Sequence, residues 1–279
     1  MPIHDQGYRR YAGSRVPRSL AWWVIARAGI VERLRDRRFL ALLLFAWLPF
    51  LVRGVQIYIA SSFPQASFLA LDERTFRAFI DQQRPFVFFA TIYAGAGLIA
   101  NDRQANALQL YFSKPITRAQ YVCGKLLILV VFLAAVTWLP AVSLLFLQTL
   151  LSGSLDFFSS HLFLLPAITI GSALEIGVAA VTMLALSSLS RSSRFVAILY
   201  AGITLFAAAF GRAVGAATGI RGWTWLSPQD TLTVVIDATF GVPTTASGTS
   251  VAAALLVVAL LVGASIVVLA RQVRAVEVV

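Results

Sequence analysis

Two long stretches of the chain, residues 126–155 and 238–270, contain no Asp, Glu, Lys or Arg. A bilayer core of about 30 Å is crossed by about 20 apolar residues in a helix, and a helix satisfies its own backbone polar groups there. Six segments read as spanning helices on that criterion: residues 39–60, 85–100, 126–151, 162–186, 195–214 and 251–270. The third and sixth are the clearest, and the second is short. Pro49 and Pro140 predict kinks in the first and third, because proline removes a helical donor and crowds the preceding turn.

Three segments outside the spans also have helical patterning. Residues 19–38 mix Trp22, Trp23, Ile25, Ile30, Val31 and Leu34 with Arg27, Arg33, Arg35, Arg37 and Arg38, as suits an amphipathic helix in the membrane interface. Residues 72–83 place Phe76, Phe79 and Ile80 at helical spacing. Residues 228–240 carry terminal signals: Ser227 as cap, Pro228 at the first position, Asp230 at the third, and Gly241 to end the helix. Trp223 and Trp225 beside it suit an interfacial anchor. Gly211, Gly215 and Gly219 recur every four residues, a spacing that lets helices approach closely, within one subunit or between two.

Composition agrees with a membrane chain. Hydrophobic residues make up 59% and charged residues 13%, against about 25% charged in soluble domains. The expected fold is an all-α integral membrane protein, one six-span domain over residues 1–279. Residues 1–38 form its N-terminal segment, 39–270 the bundle and 271–279 the tail. The net charge is +11, and its distribution orients the bundle. Seventeen of the 23 Lys and Arg fall in the N-terminal segment, the second and fourth loops and the tail; five fall on the other side, and Arg53 lies within a span. That bias places both termini in the cytoplasm and explains the basic balance without nucleic acid. No early apolar run with a small-residue cleavage site is present, so the first span is expected to direct insertion. Cys123 is the single cysteine, and His4 and His161 lie in unrelated segments, so no metal-ligand cluster is expected.

The most informative loop is residues 101–125, NDRQANALQLYFSKPITRAQYVCGK. Residues 102–112 read as a helix with Leu108, Tyr111 and Phe112 on one side. Pro115 stops it, since the residue before proline is pushed from helical angles. Thr117 with Gln120 three residues on forms a capping box and starts a second helix that runs into the third span.

In these residues the chain resembles the permeases of ABC-2 type exporters. Their corresponding loop commonly runs from an acidic residue through Gly-Thr-Leu to Ser-x-Pro-Ile/Val-Ser/Thr-Arg and Gly-Lys. Here Asp102, Leu108, Ser113, Pro115, Ile116, Thr117, Arg118, Gly124 and Lys125 occur in that order and spacing. Asn106 and Ala107 depart from the usual Gly-Thr, and Asp102 stands where Glu is commoner. The resemblance implies a coupling helix that docks on a separate ABC ATPase, present in two copies, beside a second permease copy in a homo- or heterodimer. It also implies a bacterial inner membrane. Asp102 and Arg103 would then offer charged contacts, Tyr111 and Phe112 apolar ones, and Arg118 a bridge to the partner or to lipid phosphate. An ordinary amphipathic loop on the membrane surface is the plainer alternative.

The sequence gives no phosphate-cradling loop. Gly124-Lys125 is followed by Leu126, and Ala119 stands where the first glycine of G-x-x-x-x-G-K-[ST] belongs. No cofactor is expected on the chain, and ATP with Mg²⁺ is expected on the partner. Arg53 and Glu175 are ionisable residues inside spans, where a charge costs about 2.5–3.5 kcal/mol at mid-bilayer on insertion scales. They are candidates to line the pathway, singly or as a pair, against snorkelling for Arg53 and a structural hydrogen bond for Glu175. An ion-coupled transporter or channel, or a structural subunit of a membrane complex, stand as alternative functions, and the cargo is not written in the sequence.

Overall fold

The computed structural model describes residues 17–63, 72–151, 161–218, 225, 227–244 and 249–273. Every regular element among the described residues is helical. Five helices are long and apolar enough to cross a membrane: Arg37–Ser62, Arg118–Leu151, Leu164–Leu189, Ser193–Thr218 and Val251–Gln272. Large apolar side chains stand out from their surfaces, Leu44, Leu150, Ile198 and Phe206 among them. A water-soluble monomer rarely leaves so much contiguous apolar surface uncovered; lipid covers it at no cost.

The chain begins with α1 (Ala21–Leu34), which lies along α7 (Arg118–Val136). Gly124 sets their closeness. A Cβ there would sit 2.8 Å from the Trp22 carbonyl oxygen and 2.9 Å from the Ile25 Cβ, so no larger residue fits without moving α1. Ile25 and Ala26 are buried on this face, while Trp23, Val24, Val31 and Leu34 are exposed. The helix expected over residues 19–38 is therefore two: α1, then α2 (Arg37–Ala46) after a break capped by Asp36.

Both kinks expected from proline are present, and each falls two or three residues before the ring. Trp47 separates α2 from α3 (Leu48–Ser62), which has Pro49 at its second position. Thr137 separates α7 from α8 (Trp138–Leu151), which carries Pro140. The amide missing from proline and the crowding of the turn before it account for the offset.

Asp36 accepts hydrogen bonds from the Arg38 amide at 3.0 Å and the Tyr93 hydroxyl at 2.5 Å. The Tyr93 bond, then the Arg38 amide, hold its carboxyl below the usual carboxylate range. Because the folded value is the lower one, this cap contributes fully above the ordinary Asp value of about 3.9 and is lost as pH falls through the folded value. The thermal midpoints of wild type and Asp36→Ala are expected to differ at neutral pH and to converge on acidification below that window. A constant difference at all pH values would show that the carboxylate charge is not what caps α2.

One expectation is corrected outright. Residues 72–83 and the second span are not separate helices. They form one, α4 (Glu73–Gly95), begun by a capping box between Asp72 and Thr75 and carrying Pro85 inside it. Five charged residues in its first half, Glu73, Arg74, Arg77, Asp81 and Arg84, explain why α4 is not among the five apolar helices. Arg77 is buried against other helices, and Asp81 and Arg84 are partly covered, rather than placed in a loop.

The centre of the bundle is α9 (Leu164–Leu189), which touches α4, α7, α8 and the two C-terminal helices. Of its most apolar window 56% is buried, against 11% for the α2–α3 helix, so α9 is the axis and α2–α3 a flank. After α9 comes α10 (Ser193–Ala201), then a π-helical stretch at Gly202–Phe206 and α11 (Ala207–Thr218). The expected capped helix is found as α12 (Pro228–Phe240): Ser227 accepts the Asp230 amide, and Gly241 ends it at φ +64°. The last helix is α13 (Val251–Gln272). Gly211 is buried and Gly215 half-buried on α11. Gly219, Trp223 and the chain ends with Arg9, Arg10, Arg15 and Arg274 lie outside the described residues.

Candidate functional site

Two groups of polar residues stand out, one at the end of the bundle where α4 meets α7 and one inside it. The loop of the first group is α5 (Ala100–Gln104), a turn, and α6 (Ala107–Phe112). The continuous helix expected over residues 102–112 is broken at Asn106, whose φ of 52° is left-handed. It is the only positive-φ residue other than glycine among the described residues. Asn tolerates this region because its short side chain bonds locally.

After α6 the predicted stop and start are in place. Pro115 lies in the break, and Thr117 accepts the Gln120 amide while the Gln120 side chain accepts the Thr117 amide. Ser113 closes α6 by donating to the Leu110 carbonyl at 2.9 Å.

Asp102 faces into the protein. It receives the Lys125 ammonium at 2.7 Å and the buried Tyr121 hydroxyl at 2.6 Å, both on one carboxylate oxygen. Lys125 also lies 5.9 and 5.5 Å from the Tyr111 and Tyr121 ring centres. Tyr111 and Phe112 pack on the Tyr121 ring, and Leu108 joins the adjoining core. Burial, with the Asp102 charge, pushes the Tyr111 phenol up, so it stays a neutral donor. These residues fasten the loop to α7. Arg103 reaches Gln272 at the end of α13 at 3.4 Å, and Arg118 is exposed on the first turn of α7.

The outward residue is one the sequence pattern passed over. Leu110 is 67% exposed at the tip of α6, flanked by exposed Gln109 and Ser113. Its signal was present: if Leu108, Tyr111 and Phe112 share the inner side of a helix, Leu110 lies opposite. A groove of about 580 Å³ runs beside it between α1 and α6, lined by Val24, Ala28, Leu110, Lys114 and Ile116.

At the junction behind the loop, Ser187 of α9 donates to the Ala96 carbonyl at 2.9 Å and accepts the Ile99 and Ala100 amides at 3.0 Å each. These groups are orphans at the end of α4 and the start of α5, where a helix terminus lacks internal partners.

The second group spans α4, α9 and α12. Arg77 meets Asp237 at 2.6 Å and Asp81 at 2.7 Å, Arg84 meets Asp81 at 3.1 Å, and Arg84 reaches Glu175 at 3.6 Å. Arg77, Asp81 and Arg84 fall at i, i+4 and i+7, one helical face, a spacing legible in the sequence. Their partners are not local: Asp237 lies 160 residues away from Arg77. Arg53 and Glu175 are not brought together. Arg53 instead donates to Gln56 at 2.8 Å and to Gln82 at 3.4 Å. Among the described residues no group of His, Cys, Asp and Glu forms a metal-binding set.

No model of a known protein family matches this sequence, and no characterised protein matches it at a meaningful level. The chemistry of these two groups therefore carries the functional assignment.

Proposed function

We propose that the chain is the permease subunit of an ATP-binding cassette exporter of the ABC-2 type, working in a bacterial inner membrane with two copies of a separate ATPase and a second permease copy. In this proposal α4 is the sixth spanning helix. Its 23 residues extend about 35 Å at 1.5 Å per residue, and its charges are tolerated because they pair against α9 and α12. Both termini and the α5–α6 loop face the cytoplasm, on the side with most of the Lys and Arg.

The observation that carries the proposal is the geometry of that loop. A six-residue helix is too short to be stable alone, yet here it is fixed by a left-handed turn, a proline break, a capping box and the Asp102–Lys125–Tyr121 cluster. All of this holds one large apolar side chain, Leu110, outward beside an apolar groove. A rigid knob on a short tether joined to two spanning helices is suited to passing a rigid-body motion between subunits. The occupant proposed for Leu110 and the groove is the ATPase subunit.

Leu110→Asp is expected to leave the thermal midpoint of the detergent-solubilised permease unchanged, since the residue is exposed, and to reduce recovery of an ATP-hydrolysing subunit at least tenfold. Retention of that subunit at wild-type levels would remove α6 as the docking element. Ion coupling is a second function, favoured by the buried charges on α4, α9 and α12. Transport driven by an ion gradient without nucleotide would support it instead.

A further inference from the structure

The contacts in this group are uneven. Two guanidiniums, Arg77 and Arg84, face the buried carboxylates of Asp237 and Glu175 and the half-exposed one of Asp81. Asp237 and Asp81 take the short contacts, and Glu175 keeps only the 3.6 Å approach of Arg84. Glu175 lies near the middle of α9 and is 7% exposed, and its Oε2 is buried without a hydrogen-bond partner. An ionised carboxylate removed from water requires a cation close by. Arg84 approaches one oxygen of Glu175, and the other has no hydrogen bond.

Space for that cation adjoins it. A cavity opens beside Arg84 and Glu175 and is walled elsewhere mostly by apolar side chains, including Phe88 and Leu261. Thr182 lines it two turns along α9 from Glu175, buried, with its hydroxyl also unpartnered. The Phe88 and Tyr200 rings, both in the wall, stack at 5.9 Å. The π-helical stretch at Gly202–Phe206 forms part of the same wall, and such insertions recur at functional sites.

The lining selects among cations. A metal ion such as Ca²⁺ or Mg²⁺ requires about six or more oxygen donors, whereas the unpartnered oxygens here are one carboxylate oxygen and one hydroxyl. A protonated amine needs only acceptors for its N–H groups, and aromatic faces attract its charge. A small apolar group attached to that amine would lie against the remaining wall.

We propose that the Glu175 cavity is a binding site for lipophilic amines, organic cations with a protonated nitrogen on an apolar body, and that these are cargo of the transporter. The ammonium donates to Glu175 Oε2, the Thr182 hydroxyl offers a polar contact farther along the wall, and the apolar body lies against Phe88 and Leu261. The cargo assignment rests on the permease proposal; the binding site does not.

The test uses the full chain in lipid nanodiscs without any ATPase, with phenethylamine as probe and phenethyl alcohol as its neutral counterpart. Phenethylamine at pH 7 is expected to raise the thermal midpoint saturably, and the alcohol is not. Glu175→Gln should weaken the amine response at least tenfold, and Thr182→Val several-fold. Leu261→Trp, which fills the cavity and keeps the carboxylate, should abolish the response and serves if Glu175→Gln fails to fold. Equal responses to amine and alcohol, or an undiminished amine response in Glu175→Gln, would overturn the site as mere partitioning into lipid. A wild-type midpoint that moves with pH but not with amine would also overturn it, leaving the proton as the counter-cation. ATPase co-purification without amine binding sinks the site alone, and amine binding without any ATPase partner sinks the permease proposal alone.

Discussion

Arg77→Met is expected to cost about 3–5 kcal/mol of stability and Asp237→Leu less, with the double variant costing much less than their sum. The side chains of this pair are both 5% exposed and meet at 2.6 Å. Removing Arg77 strands the Asp237 carboxylate among the apolar residues that join α4, α9 and α12, whereas removing Asp237 leaves Arg77 only its 2.7 Å contact with the half-exposed Asp81. Removing both replaces the pair by side chains of similar bulk, and Asp81 still has Arg84 at 3.1 Å. Unfolding of the purified chain in mixed micelles, read for wild type, both singles and the double, measures the coupling. Single variants within about 0.5 kcal/mol of wild type would mean that water reaches the pair and screens it.

Lys125→Met is expected to be the second most damaging of these changes, at about 3 kcal/mol, and its effect is local. The ammonium it removes lies 2.7 Å from Asp102 and over two tyrosine rings. Without it Asp102 keeps the Tyr121 hydroxyl but no counter-charge, and α5 and α6 lose their tie to α7. Limited proteolysis should cut the variant within residues 104–116 at a concentration that leaves wild type intact. Asp102→Asn combined with Lys125→Met should restore resistance in part, because the stranded charge is gone. Protection unchanged in Lys125→Met would assign the loop's rigidity to its capping box and left-handed turn.

Much of the helical layout was legible because its signals are local. Ser227, Pro228 and Gly241 bound α12 as read, Thr117 with Gln120 begins α7, and Pro49 and Pro140 announce the breaks at Trp47 and Thr137. The second span was misread for a physical reason. Arg77, Asp81 and Arg84 look like loop residues when scored for lipid, yet protein lies beside them. Hydropathy assumes that every face of a helix meets the same solvent, and α4 does not. The break at Asn106 was missed because Asn and Ala are compatible with a helix, and only the backbone angle reveals the turn.

The candidate site residues divide along the same line. Tyr111, Phe112 and Leu108 were recognised as one side of a helix, but sequence alone does not say whether that side faces out or in. The structure turns it inward, onto Tyr121, and leaves Leu110 outside. Glu175 stood out as a charge in an apolar run. Its neighbour Arg84 sits ninety-one positions earlier in the chain, beyond any local pattern.

The three hydrogen bonds of Ser187 bear on how movement travels. They rivet α9 to the point where α4 ends and α5 begins, so a push on the loop is received by the central helix without slack. From Ser187 to Glu175 is twelve residues, about 18 Å of helix at 1.5 Å per residue, and an α-helix transmits axial thrust over that length with little give. In the proposed exporter the hydroxyl of one serine would serve as the pin of a push-rod, and the distance from the loop to the buried carboxylate would become a single rigid stroke.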